Sequence, residues 1–455
     1  MEIPARVGGK SEKNGEGKLK WWQLSLIGVG CTIGTGYFLG SGIGIFKTGP
    51  SFFIAFILAG LTAMIVSEIL GKMFIQDPQK GSFRTYAKKA YGRWAGFSSG
   101  WVYWFSEMLI AGSQLTALSL LTRFWFPQIP LWILASIYAT LGIIVVLIGT
   151  KGFERVENIF AVMKVAAIFM FIILAILILF GNFGGKITDF TLPNSMDSLF
   201  ANGIIGLWTS LIFGFYAFGG IEIMGILSMR LQNKNEVIKS TTVMLIILTS
   251  IYLISIFLAS GFASFDQFNA QESPFVIALA KYNLAFFPHV FIGAIIIAGF
   301  STMAASLFAV TSMLLTMAED GDAPKVFAKK GKLKVPPFAL ALTISVLILS
   351  IIISRLVPDR VYEYITTAAG LMLIYNWFFI LVSFPKLIKA TKFDHIKRFL
   401  AMFLILLAVS GTILDGTNRI GFFVSIVFIA IVLIVILFMK KGSKKKTKEF
   451  PKGIY

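Results

Sequence analysis

Residues 28–44 read Gly28-Val29-Gly30-Cys31-Thr32-Ile33-Gly34-Thr35-Gly36-Tyr37-Phe38-Leu39-Gly40-Ser41-Gly42-Ile43-Gly44, an apolar run with seven glycines. Glycine costs about 1 kcal/mol relative to alanine inside a helix, so this density needs a physical reason. One reason is close packing, because Gly30 and Gly34, Gly36 and Gly40, and Gly40 and Gly44 have small-xxx-small spacing. The other is that the helix unwinds around Thr32-Ile33-Gly34-Thr35-Gly36, leaving backbone N–H groups and a half-helix amino end to meet an anion. Unwound backbone inside hydrocarbon is tolerable only where it lines a polar cavity.

The rest of the chain fixes that environment. Of 455 residues, 57% are hydrophobic and 14% charged, and the mean hydropathy is +0.83. Runs such as Ile168 to Phe180 and Phe422 to Met439 are apolar on every side, whereas a helix at the surface of a soluble protein has one apolar stripe. The expected fold is therefore all-α, a lipid-embedded protein of about twelve transmembrane helices between Trp22 and Met439. The first twenty residues are polar and basic and do not read as a cleavable leader.

The chain carries 41 Lys and Arg against 22 Asp and Glu, a net charge of +19. A soluble protein with that balance would suggest nucleic acid, but the location of the charges argues against that partner. Loops assigned to the inside hold Lys72, Lys80, Arg84, Lys88, Lys89 and Arg93, then Lys325, Lys329, Lys330, Lys332 and Lys334, then Lys386, Lys389, Lys392, Lys397 and Arg398. Outside loops hold only Lys47, Arg123, Lys186, Lys281, Arg355, Arg360 and Arg419. The positive-inside rule then puts both termini in the cytoplasm, in a multi-pass protein of the cell membrane. Cys31 is the single cysteine, and His289 and His395 lie far apart, so no disulfide, metal or cofactor is expected, nor an enzyme's nucleophile and base.

The glycine run has a counterpart in the sixth span, Phe215-Tyr216-Ala217-Phe218-Gly219-Gly220-Ile221-Glu222. The two lie five helices apart. An odd offset makes the second unit enter from the opposite face, as in an inverted repeat, and paired interrupted helices are the best sequence pointer to a transporter's binding site.

These stretches, with Glu319-Asp320-Gly321-Asp322-Ala323-Pro324-Lys325-Val326-Phe327 after the eighth span, resemble the amino acid permease branch of the amino acid-polyamine-organocation (APC) superfamily, with its LeuT-type fold. The resemblance covers nearly the whole chain. It implies a 5+5 inverted repeat with discontinuous helices 1 and 6: a cytoplasmic segment over 1–20, helices 1–5 over 21–182, helices 6–10 over 198–386, helices 11–12 over 395–440 and a basic tail over 441–455. It also implies a substrate carboxylate on the amides around Thr32, Ile33, Gly34, Thr35 and Gly36. The ammonium would face the segment Tyr216, Ala217, Phe218, Gly219 and Gly220. Opposed half-helix ends match a zwitterion on physical grounds as well.

Three ionisable residues inside spans point to coupling. Lys164 stands where similar proton-coupled permeases carry a lysine, near Ser301 and Thr302; its ordinary alternative is snorkelling to the interface. Glu222 either links protons or bonds the backbone freed by the break. Tyr103, Glu107 and Gln114 share one helical face, and Glu107 is a departure, since the family commonly carries an apolar or aromatic residue there and an acid where Gln114 stands. Transport of a neutral amino acid with a proton is the expectation, with sodium as the other ion. An exchanger, a cationic amino acid carrier and a non-transporting sensor are the alternatives.

Overall fold

The computed structural model describes residues 19–79, 81–182, 190–282, 284–329, 331, 335–356 and 360–448. The basic segment before Leu19, Lys80, Lys186, Lys330, Lys332, Lys334, the side chains of Lys151 and Arg155, and those of the basic tail lie outside that description.

Among the described residues the chain is helical, with one isolated bridge between Leu19 and Leu231. The first third comprises α1 (Trp21–Thr32), α2 (Thr35–Phe38), α3 (Gly40–Thr48), α4 (Phe52–Gln76), α5 (Ser82–Tyr91), α6 (Arg93–Thr122), α7 (Leu131–Ile148) and α8 (Thr150–Leu179). Then come α9 (Met196–Leu199), α10 (Gly203–Tyr216), α11 (Ile223–Leu227), α12 (Val237–Phe262), α13 (Pro274–Leu279), α14 (Phe286–Glu319), α15 (Pro337–Leu356), α16 (Val361–Leu387), α17 (Lys392–Leu414) and α18 (Gly416–Lys448).

Among the described residues, ten helical stretches are long and apolar enough to cross a membrane. The number falls below the expected twelve for two physical reasons. α1 alone has 12 residues, short of the ~20 a span needs, and the stretch from Thr35 to Gln76 runs as one 42-residue unit although Gly49, at φ +80°, turns the chain within it. α6 has 30 residues but carries Glu107, Gln114 and many serines and glycines, which dilute its hydropathy. α6 can hold those groups because it lies inside the bundle, against α14 and α16, where polar side chains meet protein instead of lipid. By contrast, only 17% of the apolar window of α18 is buried, against 78% for α16. The exposed Phe423, Val427, Leu433 and Phe438 of α18 mark a lipid-facing wall.

Ion pairs tie the helix ends. At the end holding Trp21, buried Arg84 of α5 donates to Asp320 and to Asp322, 2.7 Å each, and Arg93 adds a 2.9 Å contact to Asp322. Glu68 and Lys72 form the i,i+4 pair their spacing suggests, 2.8 Å apart, and extend it to Lys397 and Asp394 of α17. At the opposite end Lys47 of α3 bridges Glu363 of α16, at 2.7 Å, and Asp415 at the turn between α17 and α18, at 2.9 Å.

Candidate functional site

α1 stops at Thr32. The chain then passes through Ile33 (φ −69°, ψ 114°) and Gly34 (φ −147°, ψ −169°), both extended, before α2 resumes for a single turn. Among the described residues the amides of Gly34 and Gly36 find no backbone partner across this gap. The Thr35 amide donates to Gln114 Oε1 at 3.3 Å, and the Thr35 hydroxyl donates to the same oxygen at 2.7 Å. Tyr362 of α16 donates its hydroxyl proton to the Thr35 carbonyl at 3.0 Å. Thr32 turns inward on its own helix, donating to the Gly28 carbonyl at 2.9 Å.

The second interruption follows Tyr216. Residues Ala217 to Glu222 form turns, with Gly220 at φ +103°, a conformation other residues rarely adopt, and α11 restarts at Ile223 for five residues. A β-carbon on Gly220 would lie 3.4 Å from the Cys31 carbonyl, and one on Gly36 would lie 2.7 Å from the Tyr216 ring. The two interruptions therefore meet, with Tyr216 between them. Its hydroxyl is 2.6 Å from Ser113 Oγ on α6. The packing reading of the glycines holds as well, since a β-carbon on Gly30 would stand 2.4 Å from Ala161 of α8.

The expected contacts differ in kind. Ile33 and Phe218 point their side chains into the core, where the Phe218 ring packs against Phe56 and Tyr252, so each can offer a ligand only its backbone. The Tyr216 carbonyl accepts from the Gly219 amide at 3.0 Å and the Ala217 carbonyl from the Tyr252 hydroxyl at 3.4 Å. Each carbonyl keeps a second lone pair.

Lys164 is wholly buried and donates to the Gly30 carbonyl at 2.9 Å, so it anchors beside the first interruption instead of reaching an interface. Thr302 lies on the other flank and donates to the Ile33 carbonyl at 3.4 Å. Glu222 Oε2 accepts from the Gly220 amide at 3.2 Å, the bond the freed backbone calls for, and the Trp377 indole faces the same carboxylate. Glu107, 3% exposed, faces the hydroxyls of Tyr103 and Ser306. Sequence reasoning placed Gln114 on one helical face with Tyr103 and Glu107 but did not foresee its grip on Thr35, and it missed Tyr362 and Ser113. No local signal marks such partners 327 and 103 positions away.

The family model for amino acid permeases matches residues 23–450. This chain belongs to the amino acid permease family. The permease is 52% identical over 433 residues to "Uncharacterized transporter YcgH" of Bacillus subtilis strain 168, covering 95% of this chain and 97% of the relative. It is 33% identical over 377 residues to "Aromatic amino acid transport protein AroP" of Corynebacterium glutamicum, covering 82% and 81%. The protein of the same name from Escherichia coli K12 is 29% identical over 440 residues, covering 94% and 96%. The permease is thus a multi-pass membrane protein of a transporter family, and its class of substrate is amino acids.

Proposed function

We propose that this permease is a secondary active transporter that imports a neutral amino acid together with a proton, by alternating access, across the cell membrane. The observation that carries the reading is the meeting of two helix interruptions at Gly36 and Tyr216, with amides at Gly34 and Gly36 that have no backbone partner among the described residues on one side. In this reading α1 to α3 together form the first of twelve spans and α10 with α11 the sixth. The first five and next five spans make an inverted pair, the last two lie outside it, and both termini are cytoplasmic. Amides around Thr32, Ile33, Gly34, Thr35 and Gly36 bind the substrate carboxylate. Free lone pairs along Tyr216, Ala217, Phe218, Gly219 and Gly220 bind the ammonium.

Large apolar side chains are the first to test. Two relatives carry aromatic amino acid transport in their names, and Ile110, Ala369 and Leu109 form a small apolar cluster around Tyr216. Lys164, Glu222 and Glu107 are the proton-coupling residues of this proposal: one cation against the first break, one carboxylate on the second, and one carboxylate on the α6 face that also carries Gln114. A cationic substrate is the reading that Glu107 would favour instead.

The test is a competition panel of the twenty amino acids against labelled L-phenylalanine uptake in proteoliposomes, with proton and sodium gradients imposed separately. Saturable uptake, driven by the proton gradient and inhibited best by aromatic residues, is the expected result. Uptake that follows only sodium, or competition led by lysine and arginine, would replace the ion or the substrate class.

A further inference from the structure

We propose that the end of the bundle opposite Trp21 carries a binding site for an anionic phospholipid, whose phosphate sits between Arg123 and Arg355. The inference needs only that the chain lies in a bilayer, and it does not depend on the ion or the substrate proposed above. A cavity of about 280 Å³ opens where the end of α6, the loop into α7, the start of α7 and the end of α15 come together.

Both guanidiniums on this cavity are left without an acid. Arg123 donates to the Pro127 carbonyl at 3.4 Å, and Arg355 lies over the Trp132 ring, 5.6 Å from its centre. Among the described residues no carboxylate lies within 4.0 Å of either, none lines the cavity, and the first turn of α7 holds no acid. Lys47, at the same end of the bundle, is instead paired with Glu363 and Asp415. Two cations that share one small space repel each other unless an anion lies between them. The planar fork of arginine matches the oxygens of a phosphate, and stacking on Trp132 steadies the fork of Arg355.

The surroundings decide between a lipid and a soluble anion. Phe124, Phe126 and Trp132 are exposed beside the arginines, the placement of aromatic residues at the level of lipid headgroups. Leading away from the cavity, α7 exposes Ile137, Leu141 and Ile144, and α15, which packs against it, exposes Ile348, Leu349 and Ile352. Acyl chains lie along such faces, whereas a soluble anion would use none of that surface. The bound phosphate ties the end of α6, the helix that carries Gln114, to the end of α15.

The experiment uses the full chain in a neutral detergent, with dioleoylphosphatidylglycerol as the probe and dioleoylphosphatidylcholine and inorganic phosphate as the comparisons. The variants are Arg123→Gln/Arg355→Gln and the control Arg419→Gln, which removes another exposed cation from the same end. Native mass spectrometry counts the lipids retained, and thermal unfolding during a lipid titration gives the affinity. We expect one phosphatidylglycerol retained by wild type and control and none by the double variant, whose affinity is about thirtyfold weaker, or about fivefold for each arginine. Arg123→Lys/Arg355→Lys, which keeps the charge and loses the fork, should bind with intermediate affinity. Equal retention of the two lipids by wild type, or equal phosphatidylglycerol affinity in wild type and the glutamine variant, overturns the inference. Inorganic phosphate that stabilises wild type as much as phosphatidylglycerol also overturns it, and makes the cavity a free-anion site. The comparison of the two lipids on wild-type protein decides the question without any variant.

Discussion

Gly36→Ala is the sharpest perturbation the site allows. The added β-carbon would stand 2.7 and 2.8 Å from two carbons of the Tyr216 ring, about 0.8 Å inside an ordinary carbon contact. The ring cannot simply swing away. Its hydroxyl is held 2.6 Å from Ser113 Oγ, and Gly370 packs closely enough that a β-carbon there would lie 3.4 Å from Tyr216 Cβ. Overpacking of this kind costs about 1–3 kcal/mol. If that strain falls on the bound state, where both breaks must close on the ligand, affinity drops about 5- to 150-fold. Gly40→Ala is the internal control, because nothing lies within 4 Å of its new carbon. The assay is substrate-dependent thermal stabilisation with L-phenylalanine, together with the KM of uptake. Adding Tyr216→Phe to Gly36→Ala cuts the tether to Ser113 and recovers part of the loss. Gly36→Ala protein with an affinity within twofold of Gly40→Ala would refute the reasoning that the two interruptions enclose the ligand.

Three further outcomes follow from other contacts. Lys164→Ala removes the cation on the Gly30 carbonyl, so accumulation against a gradient is lost while exchange of internal for external substrate persists. Retained accumulation under a proton gradient ends the coupling role. Glu222→Gln keeps an oxygen for the Gly220 amide, so the protein folds with near wild-type thermal stability while its pH profile of uptake flattens; an unchanged profile leaves the carboxylate a backbone role alone. Asp415 is pushed up by burial, but the Asn418 amide and Lys47 outweigh this and hold its carboxyl below the ordinary value of 3.8. A depressed carboxylate stabilises the fold above its unfolded pKa, and that gain fades as pH falls through the folded value. Asp415→Ala should therefore lower stability at pH 7 by about 1–2 kcal/mol, from a lost helix cap and a lost ion pair. Thermal unfolding against pH should show the gap narrowing in acid below that value.

The family and the all-helical class were legible because glycine density, uninterrupted apolar runs and loop charge are local properties of the chain. The interruptions near Gly34 and Gly220 were legible for the same reason: glycine is costly in a helix unless the backbone departs from one. Counting spans was harder where local hydropathy misleads. α6 hides Glu107 and Gln114 behind α14 and α16, and its neighbours, not its composition, make it tolerable inside the bundle. Contacts across long sequence distance were not legible at all. Arg84 reads as one more basic loop residue, yet it is buried and clamped by two aspartates more than 230 positions away. Lys47 reads as one of a few outside charges, yet it joins three parts of the fold.

Cys31 offers the most direct measurement, because it is the chain's single cysteine and its carbonyl sits against Gly220 where the two interruptions meet. In wild-type protein, the rate of Cys31 alkylation by a small maleimide should fall as L-phenylalanine is added, with half-protection at the concentration that half-saturates uptake. Alkylation that proceeds at one rate with every amino acid, at concentrations that saturate uptake, would place the substrate somewhere other than between the broken helices.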